Sequence, residues 1–544
     1  MRLRAFLEAA SEVTARLGPF ADLDHAWTVL AEAEQVSPEV VEDVLMHHSV
    51  GVWLSRALRQ VLGAAVDATP LWSEAGWFHS VAAAAAVRSG LTCAVEVPVV
   101  HGAVALPTVG VHRLAQRFPV GHATLRSSPA GTVLEAAGRV AAVHWRSAPR
   151  QRSTSRGSTL EVLLDDLDPY REFGEPVPPA PLDAVERAEW GKLLGEAWDL
   201  LTARLPGPAE ELSAGLSAVV PLEARREVFA ASSSSAFGAI AMSPKRSAVE
   251  FGEALVHELQ HSKVNALLDV VKLHVDGGEP VHYAPWRDDP RPLEALLHGV
   301  YAFVSVAEYW DAQGDDLPAP LVRPAEFHRA HRARQVGIAV AGLRGAAGLT
   351  DLGREFVAAV AVRLASCDST ARTPEVAAAV EGITGEHAIT WRLRHARPAA
   401  GVVEAAVAAW LDRGEAPADL GGSRVVPGRG SGESLLAALL RLRALDPAEY
   451  DRVTRRRSPE FAHLKGDRRT AVDGYAARLR VAPHDTAAWA GLGLVLGSAA
   501  LRRAPEVVRA TYRGVAARTG SAPAPRELVA WFDRGARGGL TAAS

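Results

Sequence analysis

Cysteine is scarce in this chain, and apolar runs of membrane-spanning length are missing. The two cysteines, Cys93 and Cys367, lie far apart and outside any metal-ligand spacing. This usage is typical of a reduced cytosolic protein with two inert thiols. The alanine run from Val81 to Val87 is too short to cross a bilayer. We therefore expect a cytoplasmic protein without a membrane-spanning segment.

An excess of positive charge is missing as well. The formal net charge is −4 and the pI is about 6.6, so no basic field would recruit nucleic acid or an anionic membrane. The residues that follow Met1 form an acidic amphipathic pattern, without the apolar stretch and cleavage site of a secretory signal. The sequence thus disfavours nucleic-acid-binding, membrane-bound and secreted classes, and we expect a soluble protein.

One motif indicates a chemistry. The run His257-Glu258-Leu259-Gln260-His261 is an HExxH motif. Two histidines four residues apart on a helix project from the same face, so both imidazoles can reach one divalent ion with the glutamate beside it. Ser247 and Glu250 have the spacing of a capping box at the start of this helix. The structural alternative is a histidine pair that arose by chance among the 19 histidines of the chain.

A catalytic metal site needs a third ligand. A metzincin would have glycine and histidine where Val264 and Leu267 stand, so that class is excluded. A gluzincin takes a glutamate from a following helix, and Glu294 could serve. His298 lies one turn beyond Glu294 on the same face and is the rival ligand. His274 is a further candidate of lower weight.

The segment between the motif and this second helix is rich in arginine, proline and aromatic residues. It reads Val281-His282-Tyr283-Ala284-Pro285-Trp286-Arg287-Asp288-Asp289-Pro290-Arg291-Pro292. Prolines stiffen such a loop, and guanidinium groups bind carboxylates in bidentate geometry, so Arg287 and Arg291 are suited to hold a dianionic co-substrate. The alternative is that both arginines pair with the neighbouring aspartates.

A run of small residues precedes the motif helix. The segment runs from Ala230 through four serines, Ser232 to Ser235, to Met242 and is predicted to be a small-residue strand that leads into the capped helix. Such a strand could present a free edge to an extended peptide, or it could be buried inside a sheet. Both interpretations remain open at this point.

The chain is predicted to be mainly α-helical with a small β-containing region, and its 544 residues suffice for roughly three or four domains. We expect the HExxH helix to pack on the helix of Glu294 and His298. The start of a tetratricopeptide-like helix pair is matched by the run Trp489-Ala490-Gly491-Leu492-Gly493. This pair would be a helical cap or a peptide-docking module. The predicted regions are an N-terminal helical region (1–90), a β-containing region (91–180) with an exposed loop (146–158), the HExxH metal-binding catalytic region (181–413), a linker or surface loop (414–433) and a C-terminal helical TPR-like region (434–544).

Four sequence blocks together resemble a known family. They are Phe237-Gly238-Ala239, the motif run from Leu255 to Lys263, the loop from Tyr283 to Pro292, and Leu297-His298-Gly299-Val300-Tyr301. The chain resembles, most strongly from about 225 to 310, the HExxH-motif peptide-modification domain family of gene clusters for ribosomally made, post-translationally modified peptides. Members of that family look like iron(II)- and 2-oxoglutarate-dependent peptide β-hydroxylases.

The resemblance implies a cofactor set and partners. The implied iron ligands are His257, His261 and His298. The implied 2-oxoglutarate contacts lie in the loop, at Trp286 and at Arg287 or Arg291. The implied partners are a precursor peptide as substrate and a radical-SAM maturase of the same pathway.

Three functions stay open on the sequence. The preferred one is β-hydroxylation of a side chain in a precursor peptide, with 2-oxoglutarate converted to succinate and CO₂. The second is zinc-dependent peptide hydrolysis, with Glu258 as general base and Glu294 or His298 closing the site. In an oxygenase, Glu258 would instead orient water, a ligand or the substrate. The third is a non-catalytic peptide-binding protein with a structural metal. Zinc also binds three histidines well, so ligand types alone do not select the metal.

Overall fold

The computed structural model describes two compact units, Met1–Ala266 and Leu267–Ser544. Both the helical majority and the small β-containing part that the sequence predicts are confirmed. The described residues are 2–64, 69–115, 120–223, 230–275, 278–279, 281–314, 317–430, 432–453 and 458–541.

The first unit combines eight helices of the described residues with two sheets. Its helices are α1 (Arg2–Ser11), α2 (Leu23–Val36), α3 (Pro38–Leu45), α4 (His48–Val61), α5 (Leu71–Ser89), α6 (Ala184–Arg204), α7 (Pro206–Gly215) and α8 (Ala248–Leu268). Its strands are β1 (Cys93–Val100), β2 (Ala103–Leu106), β3 (Gly110–Arg113), β4 (Val120–Ser128), β5 (Gly131–Ala136), β6 (Arg139–Ala142), β7 (Arg150–Ser155), β8 (Ser158–Leu164), β9 (Ala218–Pro221), β10 (Ala230–Ala231) and β11 (Ala239–Met242).

Helix α5 is the central element of the N-terminal half. It packs on α2 and on β1, and its alanines from 82 to 86 are fully buried, since small side chains allow close approach of a helix to its neighbours. The six-stranded sheet beside it has the order β3-β2-β1-β4-β5-β6, with every pairing antiparallel. This core also includes Phe6 of α1 and Ala239 of β11, so it extends across most of the unit.

A buried ionic network joins α4, α5 and the segment after β8. The Glu74 side chain is 0% exposed, and its Oε1 lies 3.3 Å from Arg56 Nη2. Tyr170 Oη donates to Glu74 Oε2 at 3.0 Å, and Trp53 Nε1 donates to the Glu74 carbonyl oxygen at 2.6 Å. Both carboxylate oxygens therefore have partners, which a buried charge requires.

The prediction of an exposed loop over 146–158 is wrong from residue 150 onward, because β7 and β8 form a hairpin there. Its turn is formed by Arg156 and Gly157, which both have positive φ (50° and 82°). The inward residues of β7 include Gln151 and Ser153, which face α6 instead of an apolar layer. The strand therefore lacks the hydrophobic alternation from which strands are normally recognised.

The second sheet of this unit shows whether the small-residue strand before the motif helix is buried or has a free edge. Its order is β10-β11-β9-β8-β7, so β11 pairs with β10 on one side and with β9 on the other. All four residues of β11 are buried. The buried-strand interpretation is confirmed, and the free-edge interpretation is wrong for β11.

The second unit is almost entirely helical. Its helices are α9 (Leu293–Ala312), α10 (Ala319–Leu343), α11 (Asp351–Ser366), α12 (Pro374–His395), α13 (Ala400–Leu411), α14 (Leu435–Leu445), α15 (Pro447–Val453), α16 (Pro459–Leu464), α17 (Arg468–Val481), α18 (Thr486–Leu496), α19 (Ala499–Arg503), α20 (Pro505–Thr519) and α21 (Pro525–Thr541). A two-stranded ribbon is formed by β12 (Ala396–Arg397) and β13 (Arg424–Val425). None of the helices in the described ranges combines the length and apolar character that a bilayer crossing needs.

Within the segment 414–433, which was predicted to be a linker or surface loop, residues 424–425 form β13, and the other described residues form no helix or strand. The amide of Val426 donates to the His395 carbonyl oxygen at 2.8 Å. The Ser423 hydroxyl donates to a carboxylate oxygen of Glu506 at 2.8 Å. These bonds fasten the loop to α12 and α20.

Candidate functional site

The HExxH motif lies on α8, whose first turn is capped as the sequence suggests, though only in part. The amide of Glu250 donates to Ser247 Oγ at 3.2 Å, which is one half of a capping box. The Glu250 carboxylate accepts instead from the amide of Arg246, one residue before Ser247, at 3.1 Å. Apolar residues such as Phe251 and Leu255 are buried and hold the helix on its own unit.

The two motif histidines are close enough to share one ion. Their Nε2 atoms are 3.1 Å apart, and their ring centroids are 4.7 Å apart. For an ion about 2.1 Å from each nitrogen, this separation gives an angle of about 95° at the metal. Adjacent positions of an octahedral ion accommodate this pair, and so do two positions of a tetrahedral ion, which need about 3.4 Å between the nitrogens. A hydrogen bond between His257 and His261 is the structural alternative.

Glu258 is held from the serine-rich segment that precedes β11. Ser232 Oγ donates to Glu258 Oε2 at 2.7 Å, and the carboxylate is buried. Burial raises the pKa of Glu258, whereas the hydrogen bonds from Ser232 and the charge of Lys245 lower it. The carboxylate is therefore anchored at a fixed place beside the two histidines.

The predicted third ligands, His298 and Glu294, lie one turn apart on α9 of the second unit. The Glu294 side chain is 57% exposed, and its Oε2 is 3.6 Å from His274 Nε2. His298 is more deeply placed, and burial lowers the pKa of its imidazole. A neutral imidazole is the form that binds a metal, and burial favours this form. Its role as third ligand remains a prediction.

Arg287 and Arg291 bind the same carboxylate. Arg287 Nε lies 3.0 Å from Asp289 Oδ1, and Arg291 Nη1 lies 3.2 Å from Asp289 Oδ2. The two guanidinium groups lower the pKa of Asp289. This pairing supports the structural alternative for both arginines, and a co-substrate carboxylate would have to compete with Asp289.

His387 of α12 contacts the loop that carries Arg287 and Arg291. Its Nδ1 is 2.8 Å from the Tyr283 hydroxyl, and its Nε2 is 3.2 Å from Asp288 Oδ1. His395, two turns further along α12, binds the Asp288 carbonyl oxygen at 2.8 Å. The loop is thus held in one conformation by the second unit, as its three prolines favour.

Trp286 packs on α9 at the residue after His298. A Cβ atom at Gly299 would lie 2.3 Å from Trp286 Cζ2, and the indole also packs on Phe303 at 4.7 Å between ring centroids. Only glycine therefore permits this contact. The same tryptophan lines a cavity of about 490 Å³ within the second unit. Other lining residues include the charged side chains of Arg332, Glu386, Arg394 and Arg441.

We expect Gly299→Ala to destabilise the second unit by up to about 2 kcal/mol. The added methyl group overlaps the Trp286 ring at a cost of about 1–3 kcal/mol, and the gain in helix propensity of about 1 kcal/mol offsets part of this cost. Urea unfolding of the full-length protein measures the change. Gly401→Ala is the matched control, since a Cβ there meets nothing within 4 Å. Equal stability of the two variants would show that Trp286 yields freely.

A second group of potential metal ligands escaped the sequence reasoning. His47, His48 and Asp165 each offer one ligand atom, and these atoms all lie within 4.8 Å of one another. The adjacent histidines were visible in the sequence, but Asp165 is distant from them along the chain. Only the tertiary structure brings α4 and the end of β8 together. The sequence also conceals the start of α4, because helical apolar spacing runs without interruption from Val40 to Leu62, whereas α3 ends at Leu45 and α4 begins at His48.

His47 interrupts that pattern because its backbone is extended, with ψ at 132°. The apolar periodicity continues from α3 into α4, so the break leaves no mark in the sequence pattern.

Comparison with known proteins adds no further assignment. No protein-family model and no curated protein matches this chain.

Proposed function

We propose that this protein is an iron(II)- and 2-oxoglutarate-dependent hydroxylase that acts on the β-carbon of a side chain in a precursor peptide. The observation that carries the proposal is the 3.1 Å separation of the Nε2 atoms of His257 and His261 on one helix face. Bound iron(II) with 2-oxoglutarate would supply the oxidising chemistry. In that reaction a substrate C–H bond, O₂ and 2-oxoglutarate give C–OH, succinate and CO₂.

The donor set fits ferrous iron. Two imidazoles in adjacent positions, with His298 as the proposed third ligand, leave three positions of an octahedral ion for 2-oxoglutarate and O₂. Three neutral imidazoles leave the full positive charge on the ion, which favours a dianionic co-substrate. Of the two loop arginines, Arg287 is the more exposed at 54%, and it is available to a carboxylate if Asp289 releases it. Arg291 and Trp286 are the other predicted contacts in this loop.

Glu258 has a positioning role in this proposal. Ser232 donates to its carboxylate, and this hydrogen bond fixes the direction of the carboxylate. A fixed acceptor beside the two histidines would orient a peptide amide, a water molecule or the second nitrogen of a ligand.

The TPR-like pair of α17 and α18 fits the role of a cap better than that of a docking module. Its signature residue Trp489 is fully buried and donates from Nε1 to the Pro483 carbonyl oxygen at 3.0 Å. Tyr475 is fully buried against Gly491. These residues serve the core of the second unit, so we place peptide recognition elsewhere.

The proposal is tested on full-length protein reconstituted with Fe(II) without oxygen. Addition of 2-oxoglutarate should produce the visible charge-transfer band of an iron(II)–2-oxoglutarate chelate. Addition of O₂ should then release succinate, and a candidate precursor peptide should gain one oxygen atom only when all components are present. A protein that binds iron but gives neither band nor succinate would contradict the proposal.

The third ligand is tested on the same band. We expect His298→Ala to abolish the band and succinate release, because two ligands hold the ion weakly. Glu294→Ala is the matched control one turn away, and it should retain both signals, since Glu294 is more than half exposed and faces His274. The reverse result would favour a gluzincin-type site.

Zinc-dependent peptide hydrolysis is the second candidate, and the raised pKa of Glu258 is the observation that favours it. The hydrolytic and oxidative reactions differ in their dependence on this residue. Glu258→Gln should abolish peptide cleavage by a zinc enzyme, whereas it should leave most of the succinate release of an oxygenase. Peptide fragments formed with zinc and without 2-oxoglutarate would establish the second candidate, and turnover of either kind would reject a function in peptide binding alone.

A further inference from the structure

The first unit contains a second place that is built like a metal site. His47 is the residue before α4, His48 is the first residue of that helix, and Asp165 directly follows β8. Two imidazoles and one carboxylate are a donor set that zinc, ferrous iron and related divalent ions accept. Within the described part of the chain, this is the one group of three such side chains whose ligand atoms converge within 4.8 Å inside one unit.

The carboxylate of Asp165 is oriented by the backbone. Its Oδ1 accepts from the amides of Leu167 at 3.1 Å and Asp168 at 2.9 Å. These two bonds fix the plane of the carboxylate and direct Oδ2 toward His48. Metal ligands are commonly held by such additional hydrogen bonds.

The contact between Asp165 and His48 is a buried ion pair with poor hydrogen-bond geometry. Asp165 Oδ2 and His48 Nε2 are 2.9 Å apart, with their side chains 2% and 1% exposed. Neither atom has a hydrogen-bond partner of acceptable geometry in the described structure. An ion bound to both atoms would give each of them a well-directed partner, which buried polar atoms require.

His47 is held for the same task. Its Nδ1 lies 2.7 Å from Ser49 Oγ, and this contact orients the ring. The ring planes of His47 and His48 are tilted by 34°, with centroids 4.4 Å apart. The two imidazoles therefore lie next to each other at the start of α4.

A cavity opens beside this cluster. It has a volume of about 350 Å³ and is lined by all three side chains, by the buried Asp168 and by Ser147. Three protein ligands that face a cavity leave open positions on a bound ion, which is typical of catalytic rather than structural sites.

We propose that His47, His48 and Asp165 bind one divalent transition-metal ion, with its open positions facing this cavity. The site is separate from the HExxH motif and does not depend on the function proposed above. Asp168 also lines the cavity and is a further oxygen donor on that side. The alternative is a purely structural pair of His48 and Asp165.

The test uses full-length protein in which His257→Ala and His261→Ala remove the motif histidines. Equilibrium dialysis against Zn(II), with metal analysis, should find one bound ion per chain in this variant. The further substitution Asp165→Asn, which preserves the shape and the two backbone bonds of the side chain, should remove that ion. Ser147→Ala, in the same cavity wall, is the matched control and should retain it.

Retention of the ion after Asp165→Asn, or its absence before that change, overturns the proposal. Circular dichroism shows whether each variant is folded. If Asp165→Asn does not fold, zinc-soaked crystals of the unaltered protein decide the question. An anomalous peak between His48 Nε2 and Asp165 Oδ2 supports the site, and its absence rejects it. If the unaltered protein shows no oxygenase activity while the zinc site is present, only the function proposed for the HExxH motif is refuted.

Discussion

His261→Ala should remove iron from the HExxH motif and lower peptide hydroxylation by more than about 100-fold, because even substitutions outside the direct ligands of metal sites cost 10–100-fold. The remaining nitrogen of His257 cannot replace the pair whose Nε2 atoms are 3.1 Å apart. Iron content and succinate release of the reconstituted full-length variant measure the effect.

Ser262→Ala is the matched control for this substitution. Ser262 follows His261 on α8, and its hydroxyl donates to the Glu258 carbonyl oxygen at 3.2 Å, so it belongs to the same helical turn without being a ligand. It should retain iron and activity. Full activity of His261→Ala would show that the HExxH motif is structural in this protein.

Glu74→Ala should lower the free energy of unfolding of the first unit by about 3–5 kcal/mol, the usual effect of removing one partner of a buried ion pair. The substitution leaves Arg56 as a buried charge and removes the acceptor of the Tyr170 hydroxyl. Urea unfolding monitored by tryptophan fluorescence is a suitable measurement, because Trp53 and Trp77 lie in the same core.

Two control variants separate charge from surface effects. Glu8→Ala removes the exposed partner of Arg4 and should change stability by less than about 1 kcal/mol. Glu74→Gln keeps hydrogen-bonding atoms but loses the charge, so it should fall between the two. If Glu74→Ala were as mild as Glu8→Ala, the buried network would contribute little to this fold.

The sequence predicted what is local. The helical majority and the small β-containing part were predicted from the sequence and are confirmed. Strand β7 was missed because its inward residues, Gln151 and Ser153, are polar and face a helix. A pattern of hydrophobicity cannot reveal a strand whose buried side chains are hydrophilic.

The candidate sites divide in the same way. The HExxH pair was predictable because both histidines occupy one helix, where spacing determines direction. The cluster of His47, His48 and Asp165 required knowledge of which strand end meets the start of α4. The partnership of Arg287 and Arg291 with Asp289 was foreseen as an alternative, but sequence composition could not choose between it and a co-substrate.

The long-range core of the first unit has a consequence during protein synthesis. Gly51 of α4 lies so close to Ser235 that a Cβ atom would be 2.2 Å from the Ser235 carbonyl oxygen, and Ala236 and Ala239 belong to the same core as Phe6. At about 5–20 residues per second, the ribosome needs on the order of 10 s to proceed from the end of α5 to β11. Throughout that interval the apolar faces of the first five helices lack their final covering, so the nascent chain is most vulnerable to aggregation before β11 emerges.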